Sequence, residues 1–117
     1  MASTFNPARV PMREWKWSGA EKAVARAAFD LALDAELAAV VREAKERVAR
    51  VREASELWKL EAWLGERRRQ IDNLFDYRYS VLPMVFAAFL RDGRIGEEDL
   101  RGLAPDKIEV IRNMSRF

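Results

Sequence analysis

Between Gly19 and Gly65 the sequence contains neither glycine nor proline, and this uninterrupted stretch constrains the fold more than any other feature. Just before it, Ser18 and Glu21 have the spacing of a capping box, in which each side chain binds a free amide of the first helical turn. Apolar residues then recur at helical spacing. The sequence therefore predicts a first helix from residue 19 to about residue 53.

An apolar seam with alternating steps of four and three continues along this helix, which is the spacing of helices that pair. A helix of this length measures roughly 52 Å, whereas a compact globule of 117 residues is only about 35 Å across. The far end of the helix therefore needs apolar cover, and a second copy of the chain is the simplest source. We predict a homodimer whose seam on the long helix consists of Leu37, Val41, Ala44, Val48 and Val51.

The rest of the sequence predicts shorter helices. Ser55 is expected to cap a second helix, and Ser80 a third whose first turn contains Pro83. The apolar run of the third helix predicts the buried centre of the fold, and Asp92-Gly93 is expected to end it. Two short helices are predicted to follow, at Glu97-Glu98-Asp99 and from Ala104-Pro105-Asp106.

These elements predict an all-α protein in which the long first helix packs with the second to form an elongated homodimer. Residues 1–17 are expected to be a flexible N-terminal arm whose Trp15 and Trp17 pack back against the body. Residues 18–117 are expected to form a single domain, with dimerising helices at residues 18–79 and a small helical head at residues 80–117.

The composition excludes most kinds of active site. The chain has no His and no Cys, so it lacks the commonest general base, thiol nucleophiles and thiolate zinc ligands. Its glycines do not form a phosphate-binding loop, because none follows a predicted strand or precedes a Lys-Ser or Lys-Thr pair. We therefore predict a protein that is not an enzyme and that binds no cofactor and no metal.

Charge and hydropathy limit the partners. Lys and Arg total 21 and Asp and Glu total 19, which gives a net charge of +2, a smaller excess than nucleic-acid-binding domains usually have. The longest uncharged apolar run, from Val81 to Leu90, is too short to span a membrane, and no secretory signal is visible. We predict a cytoplasmic protein without membrane contact.

The most distinctive stretch of the sequence lies at residues 56–80. It contains Glu56-Leu-Trp-Lys-Leu60, Trp63-Leu64, Arg68, Ile71-Asp72 and Phe75-Asp-Tyr-Arg-Tyr-Ser80. This stretch resembles the fluorescence recovery protein family. Trp17-Ser18-x-x-Glu21 is similar to the start of the family's long first helix, and three further pairs are similar to its C-terminal part: Asp99-Leu100, Gly102-Leu103 and Asp106-Lys107.

The resemblance implies an all-helical homodimer that works without a cofactor and without catalysis. Members of the family bind the light-activated orange carotenoid protein, mainly through that protein's C-terminal domain. They speed its return to the resting orange form and end photoprotective quenching. The dimer and partner interface is accordingly expected at Trp58, Leu60, Glu61, Ala62, Trp63, Arg67, Arg68 and Asp72. Further contacts of the head are expected at Tyr77, Arg78 and Tyr79.

Two alternatives remain open. After Trp58-Lys-Leu60 the photoprotective members typically have a His-Asp pair, whereas this chain has Glu61 and Ala62, which favours a recovery-protein-like dimer with a different protein partner. The second alternative is a weak nucleic-acid-binding dimer that uses the arginines of the first two helices. Those arginines are Arg42, Arg47, Arg50, Arg52 and Arg67 to Arg69. They alternate with acidic residues, which argues against this alternative, namely Glu43, Glu46, Glu53 and Glu66.

Overall fold

The computed structural model describes Pro7 and residues 9–117. This part of the chain contains four α-helices and no β-strand: α1 (Gly19–Ala49), α2 (Ala54–Leu74), α3 (Leu82–Arg91) and α4 (Pro105–Ser115). Two short 3₁₀ turns lie at Met12–Glu14 and Glu97–Leu100. The predicted all-α class is therefore confirmed. The predicted N-terminal arm falls partly on residues 1–6 and 8, which lie outside the described residues.

Helix α1 begins as its sequence predicts and ends earlier than predicted. The backbone N–H of Glu21 donates to the Ser18 hydroxyl at 3.1 Å, and the Ser18 N–H donates to the Glu21 carboxylate at 3.0 Å, which completes the capping box. The predicted end near residue 53 is wrong. The N–H groups of Arg50 and Val51 donate to carbonyls three residues back, so the chain tightens into a turn and α1 stops at Ala49.

The two serines predicted as helix caps do not have that role. Helix α2 follows Glu53 rather than Ser55, and the backbone N–H of Arg52 donates to the Glu56 carboxylate at 2.9 Å. Helix α3 follows Val81 rather than Ser80. At the start of α3 the N–H groups of Val81 and Leu82 both donate to the Arg78 carbonyl, so a serine cap is not needed there. The predicted position of Pro83 in the first turn of α3 is confirmed.

The helices pack into two units. The core unit comprises the described residues up to Ala32 together with Asp76–Phe117, and the hairpin unit comprises Leu33–Phe75. The centre of the core unit is mostly apolar, and its buried apolar side chains include Phe29, Leu82, Phe86, Phe89, Leu100 and Ile111. Helix α3 supplies much of this centre, as predicted, although Met84 lies on its exposed side.

Two glycines shape the turns of the core unit. Gly93 has φ +72° and ends α3, and the N–H of Arg94 donates to the Phe89 carbonyl at 2.8 Å, as expected for a left-handed helix stop. Gly102 has φ +113°, and a Cβ atom placed there would lie 2.6 Å from a methyl carbon of Val24. The turn before α4 therefore lies directly against α1. None of the helices in the described part of the chain is long and apolar enough to cross a bilayer.

Candidate protein-interaction surface

Contacts between α1 and α2 hold the hairpin unit together. Arg67 donates to the Glu36 carboxylate at 2.5 Å, and both side chains are largely shielded from solvent. The Arg47 guanidinium lies 4.3 Å from the ring centroid of Trp63, which is within the range of a cation–π contact. The predicted interface residues Leu60, Trp63 and Arg67 are half-buried. These three side chains therefore lie on the side of α2 that packs against α1.

The hairpin unit has no buried core of its own. Within Leu33–Phe75, every residue of which the structure describes, no side chain is fully buried. Five of its large apolar side chains are instead 41–55% exposed, namely Leu37, Val41, Val48, Leu57 and Leu64. Because an amphipathic helix pair must bury its apolar side against something, this exposed apolar side is the first candidate interaction surface.

The predicted dimer seam lies on this apolar side. Leu37, Val41 and Val48 are exposed, whereas Ala44 and Val51 are half-buried. A groove of about 420 Å³ runs along the same side. It is lined by Leu37, Val40, Leu64, Arg67, Arg68, Ile71 and Asp72. A groove with an apolar floor and charged side chains at its rim can accept the apolar side of another helix.

A second face of α2, which shares Arg68 and Asp72 with the rim of this groove, carries the remaining predicted interface residues. Trp58, Glu61, Arg68 and Asp72 follow one another at steps of three, seven and four, so they lie on one side of the helix. All four are exposed, and Trp58 is exposed to 66%. Arg68 and Asp72 form an ion pair of 3.9 Å in solvent. Ala62 is exposed beside them. A projecting Trp among charged residues is typical of a binding hot spot.

The consecutive arginines of α2 each have an acidic neighbour. Arg67 pairs with Glu36, Arg68 with Asp72, and Arg69 with Glu66 at 2.9 Å. In α1, Arg47 pairs in the same way with Glu43 at 3.0 Å. Acidic neighbours therefore partly neutralise these four arginines. That arrangement is unfavourable for a phosphate backbone, which binds unpaired cations.

The segment between α2 and α3 forms a corner of the core unit. Asp76 and Arg78 form a two-pronged ion pair, with the shortest N–O distance at 2.6 Å. The rings of Tyr77 and Tyr79 lie 5.6 Å apart, and the Arg26 guanidinium covers Tyr77 at 3.7 Å. Of the three predicted head contacts, Tyr77 and Tyr79 are thus half-buried inside the unit and Arg78 is exposed.

The environment of Tyr77 changes its acidity. Burial, followed by the neighbouring Tyr79, raises the pKa of the Tyr77 hydroxyl from its ordinary value of 10.0 to about 12, and the Arg26 guanidinium only partly opposes this shift. An unfolded tyrosine ionises first as pH rises, while the folded protein keeps Tyr77 protonated. The stability that this group contributes is therefore complete below its unfolded pKa and is lost as pH rises through its folded pKa.

We expect an ultraviolet titration of tyrosinate to show this shift directly, because the chain contains only two tyrosines. In the Tyr79→Phe variant the single remaining transition reports Tyr77, and its midpoint should lie well above the ordinary value of 10.0. This midpoint should lie below the midpoint of Tyr77 in the wild type, because the Tyr79 hydroxyl that raises the pKa of Tyr77 is gone. A midpoint at the ordinary value in a folded protein contradicts the buried corner.

A charged group lies inside the core unit. The Lys107 ammonium donates to the Glu21 carboxylate at 3.0 Å, and the same carboxylate accepts the N–H groups of Ser18 and Ala104, each at 3.0 Å. Lys107 is 2% exposed. Burial acts to raise the pKa of Glu21, but these donors outweigh it and hold the pKa below its ordinary value of 4.5. Glu21 thus joins the start of α1 to the start of α4.

Sequence reasoning did not identify this buried pair. For Glu21 the sequence predicts only a role in the capping box, and it predicts no core position for Lys107. A signal for it exists, because Leu103, Lys107 and Ile111 follow one another at steps of four and the two apolar members are buried. A lysine inside an apolar stripe indicates a buried cation, and a buried cation requires a carboxylate partner.

Comparison with known proteins shows which family the chain is similar to. A sequence model described as "Photoprotection regulator fluorescence recovery protein" matches residues 17–115. The fluorescence recovery protein of Synechocystis sp. PCC 6803 is 35% identical over 104 residues, which are 89% of this chain and 95% of that protein.

Solved structures agree with the sequence match. The fluorescence recovery protein of Fremyella diplosiphon is similar with a TM-score of 0.81 and 35% identity, over 87% of this chain and 100% of the other. That of Synechocystis sp. PCC 6803 has the same TM-score and coverage at 34% identity. The matched region includes both faces of the hairpin unit and the Glu21–Lys107 pair. The chain therefore belongs to the fluorescence recovery protein family, whose members are photoprotection regulators.

Proposed function

We propose that this protein is a non-catalytic regulator that binds the photoactivated orange carotenoid protein and speeds its return to the resting orange state. Membership in a family described as photoprotection regulators carries this proposal. A regulator of this kind needs a surface that prefers one conformation of its partner over another, and it makes or breaks no covalent bond. The outer face of α2, with exposed Trp58, Arg68 and Asp72, is the surface that we assign to the partner.

The proposed mechanism is differential binding. A protein that bound only the activated partner would trap it, so acceleration requires the crossing between the two states to be bound most tightly. Trp58 supplies a large apolar area for that contact, and the charges of Arg68 and Asp72 at its edge supply orientation. The Arg68–Asp72 ion pair is exposed, so either member can exchange its neighbour for a group of the partner at little cost.

We further propose that the working form is a homodimer that covers the apolar side of the hairpin unit. This proposal is supported by the absence of a fully buried side chain anywhere in Leu33–Phe75, all of which the structure describes. A second copy placed on Leu37, Val41 and Leu64 supplies the missing core. The outer face with Trp58 lies elsewhere on α2 than Leu64, six residues or about 120° of rotation away, so a dimer leaves part of that face available.

Photorecovery kinetics test the proposed function. Purified orange carotenoid protein is converted to its red form, and its dark return is followed with and without this protein. We expect acceleration by the wild type. Trp58→Ala should weaken partner binding by about 30-fold, because a hot-spot Trp contributes about 2 kcal/mol or more. The matched control is Phe117→Ala, which removes an aromatic ring that is 93% exposed in the core unit. With this variant the orange carotenoid protein should return to its orange form as fast as with the wild type.

Sedimentation of the same samples separates loss of the partner from loss of the dimer. Trp58→Ala should remain a dimer while acceleration is lost. Failure of the wild-type dimer to accelerate recovery would reject the orange carotenoid protein as the partner.

One observation favours a different protein partner. Glu61 and Ala62 replace the His-Asp pair typical of photoprotective members, and both are exposed on α2 near Trp58. A carboxylate at residue 61 cannot donate a hydrogen bond as a His ring can. If the orange carotenoid protein is the partner and the site is only weakened, the double variant Glu61→His/Ala62→Asp should speed the return of that protein to its orange form more than the wild type does. If the partner is another protein, the double variant should gain no such activity.

A further inference from the structure

Residues 9–17 form a packed element that precedes α1. The segment makes one 3₁₀ turn at Met12–Glu14. Its Trp15 side chain is only 5% exposed. The indole N–H of Trp15 lies 3.3 Å from the Pro7 carbonyl and 3.2 Å from the Val10 carbonyl. The segment therefore folds around its own indole ring, and backbone carbonyls accept the hydrogen bond of the buried indole N–H.

The buried Lys107 ammonium lies beside this indole. Its Nζ atom is 6.0 Å from the ring centroid of Trp15 and 4.7 Å from that of Trp17. It also donates to the backbone carbonyl of Lys16. These three contacts all come from residues before α1, whereas the ion pair of Lys107 with Glu21 comes from α1 itself. Because a buried ammonium needs compensation by acceptors and ring faces, the segment and Lys107 stabilise one another.

We propose that the core unit contains a recognition slot for an indole-like ring, and that residues 9–16 are a clasp that closes this slot with Trp15. The slot combines a buried ammonium, a second indole face from Trp17 and enough space for a large aromatic side chain. Its ligand class is a planar aromatic ring followed by a backbone carbonyl that can accept from Lys107. In the resting protein the chain itself supplies both groups.

The clasp is additional to the features that define the family. The family match begins at residue 17 and does not include Trp15. Lifting the clasp removes the Lys16 carbonyl and one indole face from the Lys107 ammonium, while the ion pair with Glu21 is kept. The open state is therefore less favourable than the closed one but is not blocked, as expected for a segment that opens locally.

Trypsin measures whether the clasp is closed. The enzyme cleaves after Lys16, and the carbonyl of that peptide bond is the one that Lys107 holds. Trp15→Ala in the full chain should speed cleavage at this bond by about tenfold or more, because the closed state loses its buried anchor. Cleavage after Arg50 and Arg52, in the connection between α1 and α2, should stay unchanged and shows that the variant is folded.

Free indole tests the slot itself. Removing a buried Trp side chain leaves a cavity, and apolar cavities bind small aromatic molecules. Indole should therefore raise the thermal midpoint of Trp15→Ala by several degrees and restore its resistance to trypsin after Lys16. The matched control is Trp58→Ala, which removes the same side chain from an exposed position. That variant and the wild type should show no response to indole.

Two outcomes would overturn the proposal. Equal cleavage rates after Lys16 in wild type and Trp15→Ala would mean that Trp15 does not hold the segment. An equal response of Trp15→Ala and Trp58→Ala to indole would mean that no specific slot exists. If Trp15→Ala does not fold, Trp15→Phe tests the clasp through trypsin alone, and its cleavage after Lys16 should again be faster than in the wild type.

Discussion

Glu21→Gln is expected to lower the free energy of unfolding by about 3 kcal/mol, because it removes the carboxylate that the buried Lys107 ammonium contacts at 3.0 Å. The N–H groups of Ser18 and Ala104 bind different oxygens of Glu21, and the Gln amide has only one acceptor oxygen. The loss therefore reports the charge together with one backbone hydrogen bond. Urea unfolding followed by circular dichroism at neutral pH and at one fixed protein concentration measures it.

Two further variants make this prediction specific. Glu43→Gln is the same chemical change at an exposed ion pair with Arg47, and it should cost less than about 0.5 kcal/mol. The double variant Glu21→Gln/Lys107→Met should regain most of the lost stability, because the buried ammonium is removed together with the carboxylate that it contacts. Equal effects of Glu21→Gln and Glu43→Gln would show that Lys107 has another source of compensation.

Local sequence signals located the features that depend on neighbouring residues. The capping box of Ser18 and Glu21, the early Pro83 and the helix stop at Gly93 are all formed by contacts within a few residues. Such contacts can be predicted because their geometry follows from spacing alone. The end of α1 could not be predicted in this way, since no glycine or proline marks it and the turn depends on the return of α2.

The faces of α2 show the limit of a pattern without a neighbour. Trp58 and Trp63 both belong to its apolar stripe, and the sequence treats them alike. They are five residues apart, or about 140° of rotation around the helix. The structure places Trp63 under the Arg47 guanidinium and leaves Trp58 exposed. Only the position of α1 decides which of the two faces inward, so the predicted interface set divides into an inner and an outer group.

The apolar side of α1 was easier to predict than the pairs that cross between elements. Heptad spacing identifies one side of a helix, and Leu37, Val41 and Val48 are indeed exposed on one side. The Glu21–Lys107 and Glu36–Arg67 ion pairs join residues 86 and 31 positions apart. No periodicity links such partners, because the chain path between them is set by the turns and by packing.

Leu64→Glu is expected to convert the proposed homodimer to a monomer. The side chain is 41% exposed in the single chain and lies in the apolar groove of the hairpin unit. In a two-fold dimer each substitution occurs twice. Burying an unpaired carboxylate at about 3 kcal/mol per copy weakens association by about 6 kcal/mol, or roughly four orders of magnitude in Kd.

Sedimentation over a range of protein concentrations measures this change. The matched control is Asn73→Glu, which adds the same charge about half a turn away around α2 at an exposed residue, and it should remain dimeric. Because no side chain of Leu33–Phe75 is fully buried in the single chain, the monomer should also lose helical circular dichroism. A Leu64→Glu protein that stays dimeric would place the interface elsewhere, and a wild type that is monomeric with full helicity would mean that the hairpin unit needs no second copy.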